Sequence, residues 1–355
     1  MKCKMSLIIS VCLIVFVVAQ KPSDRLDVTN WKITMPYNTA AIGGNPDEIY
    51  QPDLKDWVDD KHYYINPNGE GVVFMAHCGA ATTINSSYPR SEFREMRMDD
   101  NTDEASWSTG DSKIHKMEII QAITNTPVVK PHVVAGQIHA SGDDLTVFRL
   151  EGKKLFVDLN GDDGPVLTNN YTTGDVFKVA FIAGNGKVTY EYNGEPVRDD
   201  DGDIFELKCN ESKCYFKAGC YTQSNVDKGD EPDAYGEVII YSFFVSHGDE
   251  IHTEHSSNTP IISSTPSSVN GTTNSIRTEI HITMMKVHLT LSEPQPVAVS
   301  LLRANGSLLQ RWQKSIKGAG NYCESISLED FTNGIYLVRV TMNSNSFIEP
   351  VVLMR

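Results

Sequence analysis

Residues 215–223 read Tyr-Phe-Lys-Ala-Gly-Cys-Tyr-Thr-Gln. At a strand's period of two, Tyr215, Lys217, Tyr221 and Gln223 share one face, while Phe216, Ala218 and Cys220 share the other. Two other stretches divide in the same way. In Arg-Ser-Glu-Phe-Arg-Glu-Met, residues 90–96, one face carries Arg90, Glu92 and Arg94, and Phe93 lies opposite. In Gln-Ile-His, residues 137–139, Gln137 and His139 flank an opposed Ile138. Antiparallel sheets commonly bury one face and solvate the other, so each stretch predicts a half-buried antiparallel strand. An ordinary wet face carries Thr, Ser, Lys and Glu. These faces offer guanidinium, carboxamide, imidazole and phenol groups. If the three strands are neighbours, they line a cleft suited to a sugar acid, with forked donors for carboxylates and flat rings for pyranose faces.

Outward from these strands the β pattern continues. Short alternating or β-branched runs occupy 31–35, 72–77, 116–124, 133–140, 145–150, 176–182, 187–192 and 236–246. Glycine turns at Asn160-Gly161, Gly184-Asn185-Gly186 and Asn193-Gly194 punctuate them. No window has a long, capped, 3.6-residue period. The expected fold is therefore all-β: an antiparallel β-sandwich or jelly roll over residues 20–252. Residues 253–276 are mostly Ser, Thr, Asn, Pro and Gly, a composition that buries too little apolar area to offset its ordering entropy, and they read as a linker. Residues 277–355 read as a second, small β-sandwich with strands at 286–291, 297–303 and 334–342.

The 355-residue chain carries 31 basic and 46 acidic residues, a net charge of −15. That balance argues against nucleic acid or anionic lipid as a bulk partner. A local basic cleft for a polyanion remains compatible with it. Residues 1–19 read as a signal peptide, with Lys2 and Lys4 before an apolar run and small residues before Gln20. No later stretch is long and apolar enough to span a bilayer, so a secreted, soluble protein is expected; a monomer is expected as well. Of the cysteines beyond the signal, Cys209 and Cys214 are expected to form a disulfide across a short loop, worth about 2 kcal/mol in the chain-entropy model. Cys78, Cys220 and Cys323 leave an odd thiol. The acidic clusters 162–163 and 199–203 lack the spacing of a calcium loop and read as solvated turns. No metal or cofactor is expected.

The motifs RSEFR (90–94), QIH (137–139) and YFKAGCYTQ (215–223), in that order, resemble the signatures of the alginate lyases of polysaccharide lyase family seven. DVTNWKITMP (27–36) resembles that family's N-terminal strand. Phe93 stands where the family has Leu or Val, on the buried face. The resemblance implies a β-jelly roll that cleaves a mannuronate–guluronate polymer by β-elimination. It assigns catalytic roles to Arg90, Gln137, His139 and Tyr221. Arg90 and Gln137 would hold the uronate carboxylate. His139 would act as base or help neutralise that carboxylate, and Tyr221 would protonate the leaving oxygen. Glu92, Arg94, Tyr215, Lys217 and Gln223 would be substrate-binding or orienting groups. Ile138 within QIH leans toward guluronate-containing blocks.

The ending Gly-Ile-Tyr-Leu-Val (334–338) resembles the C-terminal sorting domains of the type IX secretion system, although the lysine usual before the last apolar strand is missing. That resemblance implies a transport address and a secreted or surface-attached product. A small carbohydrate-binding module is the competing reading of the tail. For the main domain the alternatives are a non-catalytic lectin and a lyase for another polyuronate such as glucuronan. A glycoside hydrolase needs two carboxyl groups flanking the bond, and Glu92 and Glu95 point to opposite faces of their strand.

Overall fold

The computed structural model describes residues 21–40, 45–67, 69, 71–248, 275–281, 284–291, 295–303, 308–316, 320–328, 331, 334–342 and 345–353. The expected signal peptide and nearly all of the expected linker lie outside these residues. The first unit contains sixteen strands. They are β1 (Trp31–Thr34), β2 (Glu48–Ile49), β3 (Tyr63–Ile65), β4 (Val72–His77), β5 (Arg90–Glu95) and β6 (Ile114–Asn125). Next come β7 (His132–His139), β8 (Asp144–Glu151), β9 (Lys154–Leu159), β10 (Asp162–Thr168) and β11 (Val176–Gly184). The last are β12 (Lys187–Tyr192), β13 (Glu195–Pro196), β14 (Leu207–Lys208), β15 (Tyr215–Thr222) and β16 (Tyr235–Gly248). Every pairing among them is antiparallel, as hairpin-rich, glycine-punctuated sequence dictates. One sheet runs β10-β9-β8-β7-β15-β5-β1-β2; the other runs β13-β12-β11-β6-β16-β4-β3, with β14 beside β12.

Alternation sets the packing. Phe93 of β5, Ile138 of β7, and Phe216, Ala218 and Cys220 of β15 all enter one core with Phe74, Phe148, Phe177 and Phe181. Phe93 and Phe216 are fully buried, each contributing about 2–3 kcal/mol by removal from water. The opposite faces of β5, β7 and β15 therefore turn outward together. Two glycines shape this region. Gly219 takes φ +140°, and a Cβ there would meet the Ser91 carbonyl oxygen at 2.6 Å. It lies where β15 carries one residue more than β7, between the Lys217↔Gln137 and Tyr221↔Val134 pairs. Gly136, at φ +110°, sits in the matching irregularity of β7 against β8. Such bulges bend a sheet and re-aim side chains.

The expected bond between Cys209 and Cys214 is absent; both are free thiols, as are Cys78 and Cys220. Backbone contacts hold that loop instead. Cys209 N–H donates to Gly186 O at 3.0 Å, while Cys214 exchanges two hydrogen bonds with Trp107 at 2.8 and 2.9 Å.

The second unit is also all-β. Its strands are β17 (Ser275–His281), β18 (Met284–Leu291), β19 (Gln295–Arg303), β20 (Leu308–Ile316), β21 (Gly320–Ser327), β22 (Gly334–Met342) and β23 (Asn345–Leu353). They form a three-stranded sheet β17-β18-β21 and a four-stranded sheet β20-β19-β22-β23. Residues of both, including Val287, Leu289, Val299, Leu301 and Val338, share a core of their own. No helix among the described residues is long and apolar enough to cross a membrane.

Candidate active site

The three motif strands are adjacent, in the order β7-β15-β5. Register brings their outward residues opposite one another. Lys217 pairs with Arg94 on one side and Gln137 on the other, Tyr221 with Arg90, and Tyr215 with His139.

Glu92 is the hub. It is fully buried. Its Oε2 accepts from Arg90 Nη1 at 3.1 Å and from Lys217 Nζ at 2.5 Å, and its Oε1 accepts from Gln137 Nε2. Burial works against the Glu92 charge, but Lys217 and Arg90 outweigh it and hold the carboxyl below its ordinary range. Burial first, and then the Arg90 charge, push the Lys217 ammonium down to about 8 despite its pairing with Glu92. The hub thus fixes the direction of Arg90 and of the Gln137 carboxamide. Two cations meet one carboxylate, leaving one positive charge in excess.

Arg90 also lies over the Tyr221 ring, its Cζ 3.8 Å from the centroid. The Tyr221 hydroxyl is 2.8 Å from Ser86 Oγ. At the other end of β15, the Tyr215 ring packs against the His139 imidazole, 5.0 Å away and nearly parallel, and against the Arg94 guanidinium at 3.8 Å. His139 Nδ1 is 2.8 Å from Ala140 O. A carbonyl only accepts, so Nδ1 carries the hydrogen and the neutral ring keeps its lone pair on Nε2. Burial above all lowers the His139 pKa from its ordinary value, which favours that neutral ring. Arg94 bonds Glu104 at 2.7 Å, and buried Lys32 links Glu104 to Glu48. The Nε groups of Arg90 and Arg94 are buried without a hydrogen-bond partner. Gln223 is buried just past β15, and its backbone N–H donates to His132 O at 3.0 Å.

All nine residues expected at a site thus fall on these three strands or at their ends. They differ in exposure: Glu92, Gln137 and Lys217 are buried, while His139, Tyr221 and Arg94 are only partly buried. The sequence reading passed over Ser86, Lys32 and Glu104. Ser86 lies in the loop Asn-Ser-Ser-Tyr-Pro (85–89) that feeds β5, outside any alternating pattern. Among the described residues, no group of His, Cys, Asp or Glu is arranged to hold a metal ion.

The fold agrees with comparison to known proteins. The alginate lyase family profile matches residues 26–247, and this chain belongs to that family. The solved structure of the alginate lyase AlgAT5, from polysaccharide lyase family 7, is 46% identical, with a TM-score of 0.60 over 65% of this chain and 100% of its own. An alginate lyase from Corynebacterium sp. is 38% identical, with a TM-score of 0.59 over 65% of this chain and 99% of its own. An alginate lyase of Klebsiella pneumoniae is 23% identical over 284 residues, 64% of this chain and 91% of that protein. The second unit matches the secretion-system C-terminal sorting domain over residues 282–354.

Proposed function

We propose that Arg90, Gln137, His139 and Tyr221 cleave alginate by β-elimination, in a protein that is a secreted polysaccharide lyase. What supports this reading is that all four stand on the outward faces of three adjacent strands, with Arg90 and Gln137 bonded to Glu92 in a cluster with one positive charge in excess and Arg90 lying over the Tyr221 ring. The chemistry explains the need for it. The C5 proton of a uronate is hard to remove while the adjacent carboxylate is ionised, because the developing carbanion adds negative charge there. Arg90 and Gln137 hold and neutralise that carboxylate and stabilise the enolate-like intermediate. His139, through Nε2, or Tyr221 takes the C5 proton, according to the face on which it lies. The C4–O bond breaks as the C4–C5 double bond forms, and Tyr221 delivers a proton to the departing oxygen. No water is consumed.

The ion pair between Glu92 and Lys217, and the bonds from Arg90 and Gln137 to the same carboxylate, support the orienting role for both. Arg94, Tyr215 and Gln223 remain the substrate-facing candidates. Guluronate-containing blocks are the preferred substrate on the strength of Ile138 in the family motif. The sorting domain suits export by a type IX secretion system, with release or surface attachment, and the enzyme acts as a monomer. Incubation with polymannuronate, polyguluronate and glucuronan side by side tests the assignment. Unsaturated oligosaccharides should appear fastest from polyguluronate. Release from glucuronan alone would move the enzyme to another polyuronate, and binding without cleavage would make it a lectin.

A further inference from the structure

We propose that Ser86 is a positioning residue for Tyr221, a hydroxyl that keeps the phenolic oxygen hydrogen-bonded in both of its protonation states. The inference rests on Tyr221 taking part in the elimination. Its basis is the hydrogen-bond count at one oxygen. Ser86 Oγ lies 2.8 Å from Tyr221 Oη, accepts the Tyr88 N–H at 3.1 Å, and is 3.1 Å from Tyr88 O. A serine hydroxyl has one hydrogen and two lone pairs. While Tyr221 carries its proton, it donates to Ser86 Oγ, and the serine hydrogen points at Tyr88 O. Both lone pairs and the hydrogen are then used. When Tyr221 is deprotonated, the serine hydrogen turns from Tyr88 O to the phenolate, a charge-assisted bond of the stronger kind. The change is a rotation about one bond.

Nothing else described at Tyr221 supplies this. Arg90 lies over the ring face, and its Nη1 is committed to Glu92. The other ring described against the phenol is Tyr88, edge-on at 6.4 Å, and the Tyr88 hydroxyl is itself engaged, accepting from Lys130 Nζ at 3.0 Å. Ser86 is itself held in place. Asn225 Nδ2 donates to Ser87 O at 2.8 Å, Lys130 ties down Tyr88, and Thr222 N–H donates to Pro89 O at 3.1 Å. The loop is thus fastened to the chain just past Tyr221, at Thr222 and Asn225, and to Lys130 before β7, so the Ser86 oxygen stays in place and only its hydrogen turns as charge develops. Ser86 does not relay the proton, because its only onward partner, a carbonyl, cannot accept one.

The test is steady-state kinetics of the full chain on alginate across pH, for Ser86→Ala, Ser86→Thr and Tyr221→Phe, with thermal midpoints as the folding control. Ser86→Ala should lower kcat about tenfold, the scale of one lost hydrogen bond to a charged group, with KM within about twofold. It should also move the kcat–pH profile toward higher pH, because the phenolate has lost a donor. Ser86→Thr should restore both. Wild-type kcat and an unmoved profile in Ser86→Ala, with Tyr221→Phe inactive, would refute the role of Ser86 and leave that of Tyr221 standing. Full activity in Tyr221→Phe would remove the reading on which the inference stands.

Discussion

Glu92 and Glu95 stand three residues apart on one strand, both almost without solvent, and in different company. Glu92 faces outward among fixed cations and a carboxamide. Glu95 faces the other way. Its Oε2 accepts from Trp107 Nε1 at 3.0 Å and from the Phe216 backbone at 2.9 Å. Its Oε1 meets His247 Nε2 at 2.5 Å, His247 Nδ1 meets His115 Nδ1 at 2.6 Å, and His115 Nε2 meets Asp111 at 3.0 Å. Proton counting closes this inner chain. His115 donates to Asp111, so its Nδ1 accepts from His247, and one further proton is shared by His247 and Glu95. Every contact is then satisfied within the protein. The outer cluster is not balanced in charge, because Arg90 and Lys217 share the single carboxylate of Glu92 and leave positive charge in excess. A closed buried cluster joins elements, here β5, β6, β15 and β16. An outward one with positive charge in excess suits an anion.

The comparison is sharpest at the catalytic end. Tyr221→Phe should lower kcat roughly 10³-fold, the scale of lost acid–base catalysis, with an unchanged thermal midpoint. Retained activity would break the outer half of the contrast. Next, Glu92→Gln should reduce kcat/KM per folded molecule about 10²-fold, because it releases Arg90 and Gln137 from a defined geometry. Glu95→Gln should instead lower unfolding free energy by about 3 kcal/mol, the cost of breaking a buried ionic cluster, and leave the activity of the folded fraction near wild type. Equal loss of activity in both would merge the two clusters into one.

Two pH experiments sharpen it further. With Lys217 titrating at about 8, the rate should fall on the alkaline side as the site loses its excess charge. Lys217→Arg should move that limb to higher pH; an unmoved limb would assign it elsewhere. The smallest effect concerns stability. Burial lowers the His115 pKa, so below neutrality the unfolded chain takes up the proton first. Stability should therefore fall as pH drops through the ordinary histidine range, and less steeply in His115→Gln. Urea midpoints as a function of pH give the answer.

Much of this was legible in the sequence because a period of two is a physical rule. It placed Phe93, Phe216, Ala218 and Cys220 in the core and gathered Arg90, Glu92, Arg94, Gln137, His139, Tyr215, Lys217 and Tyr221 outside. The same rule passed over β9, whose Leu155–Asp158 are all buried, so that no alternation exists to read. It passed over β10, where Asp162-Asp163 resembled a turn. Alternation gives a face but not a partner, so Glu92 and Lys217 read as substrate-binding or orienting groups without the ion pair that joins them. Contacts between distant segments leave no local trace: Glu95 with His247, or Ser86 with Tyr221, cannot be seen in either neighbourhood. Close spacing suggested a bond between Cys209 and Cys214, whereas backbone partners at Gly186 and Trp107 already hold their loop.

Mass spectrometry of the fragments formed from alginate bears most directly on the elimination site. Each new non-reducing end should carry a C4–C5 double bond, fragment masses should sum to the parent with no water added, and Tyr221→Phe should form such fragments roughly 10³-fold more slowly. Fragments that have gained water, or an alginate chain bound but left whole by the wild-type protein, would contradict it.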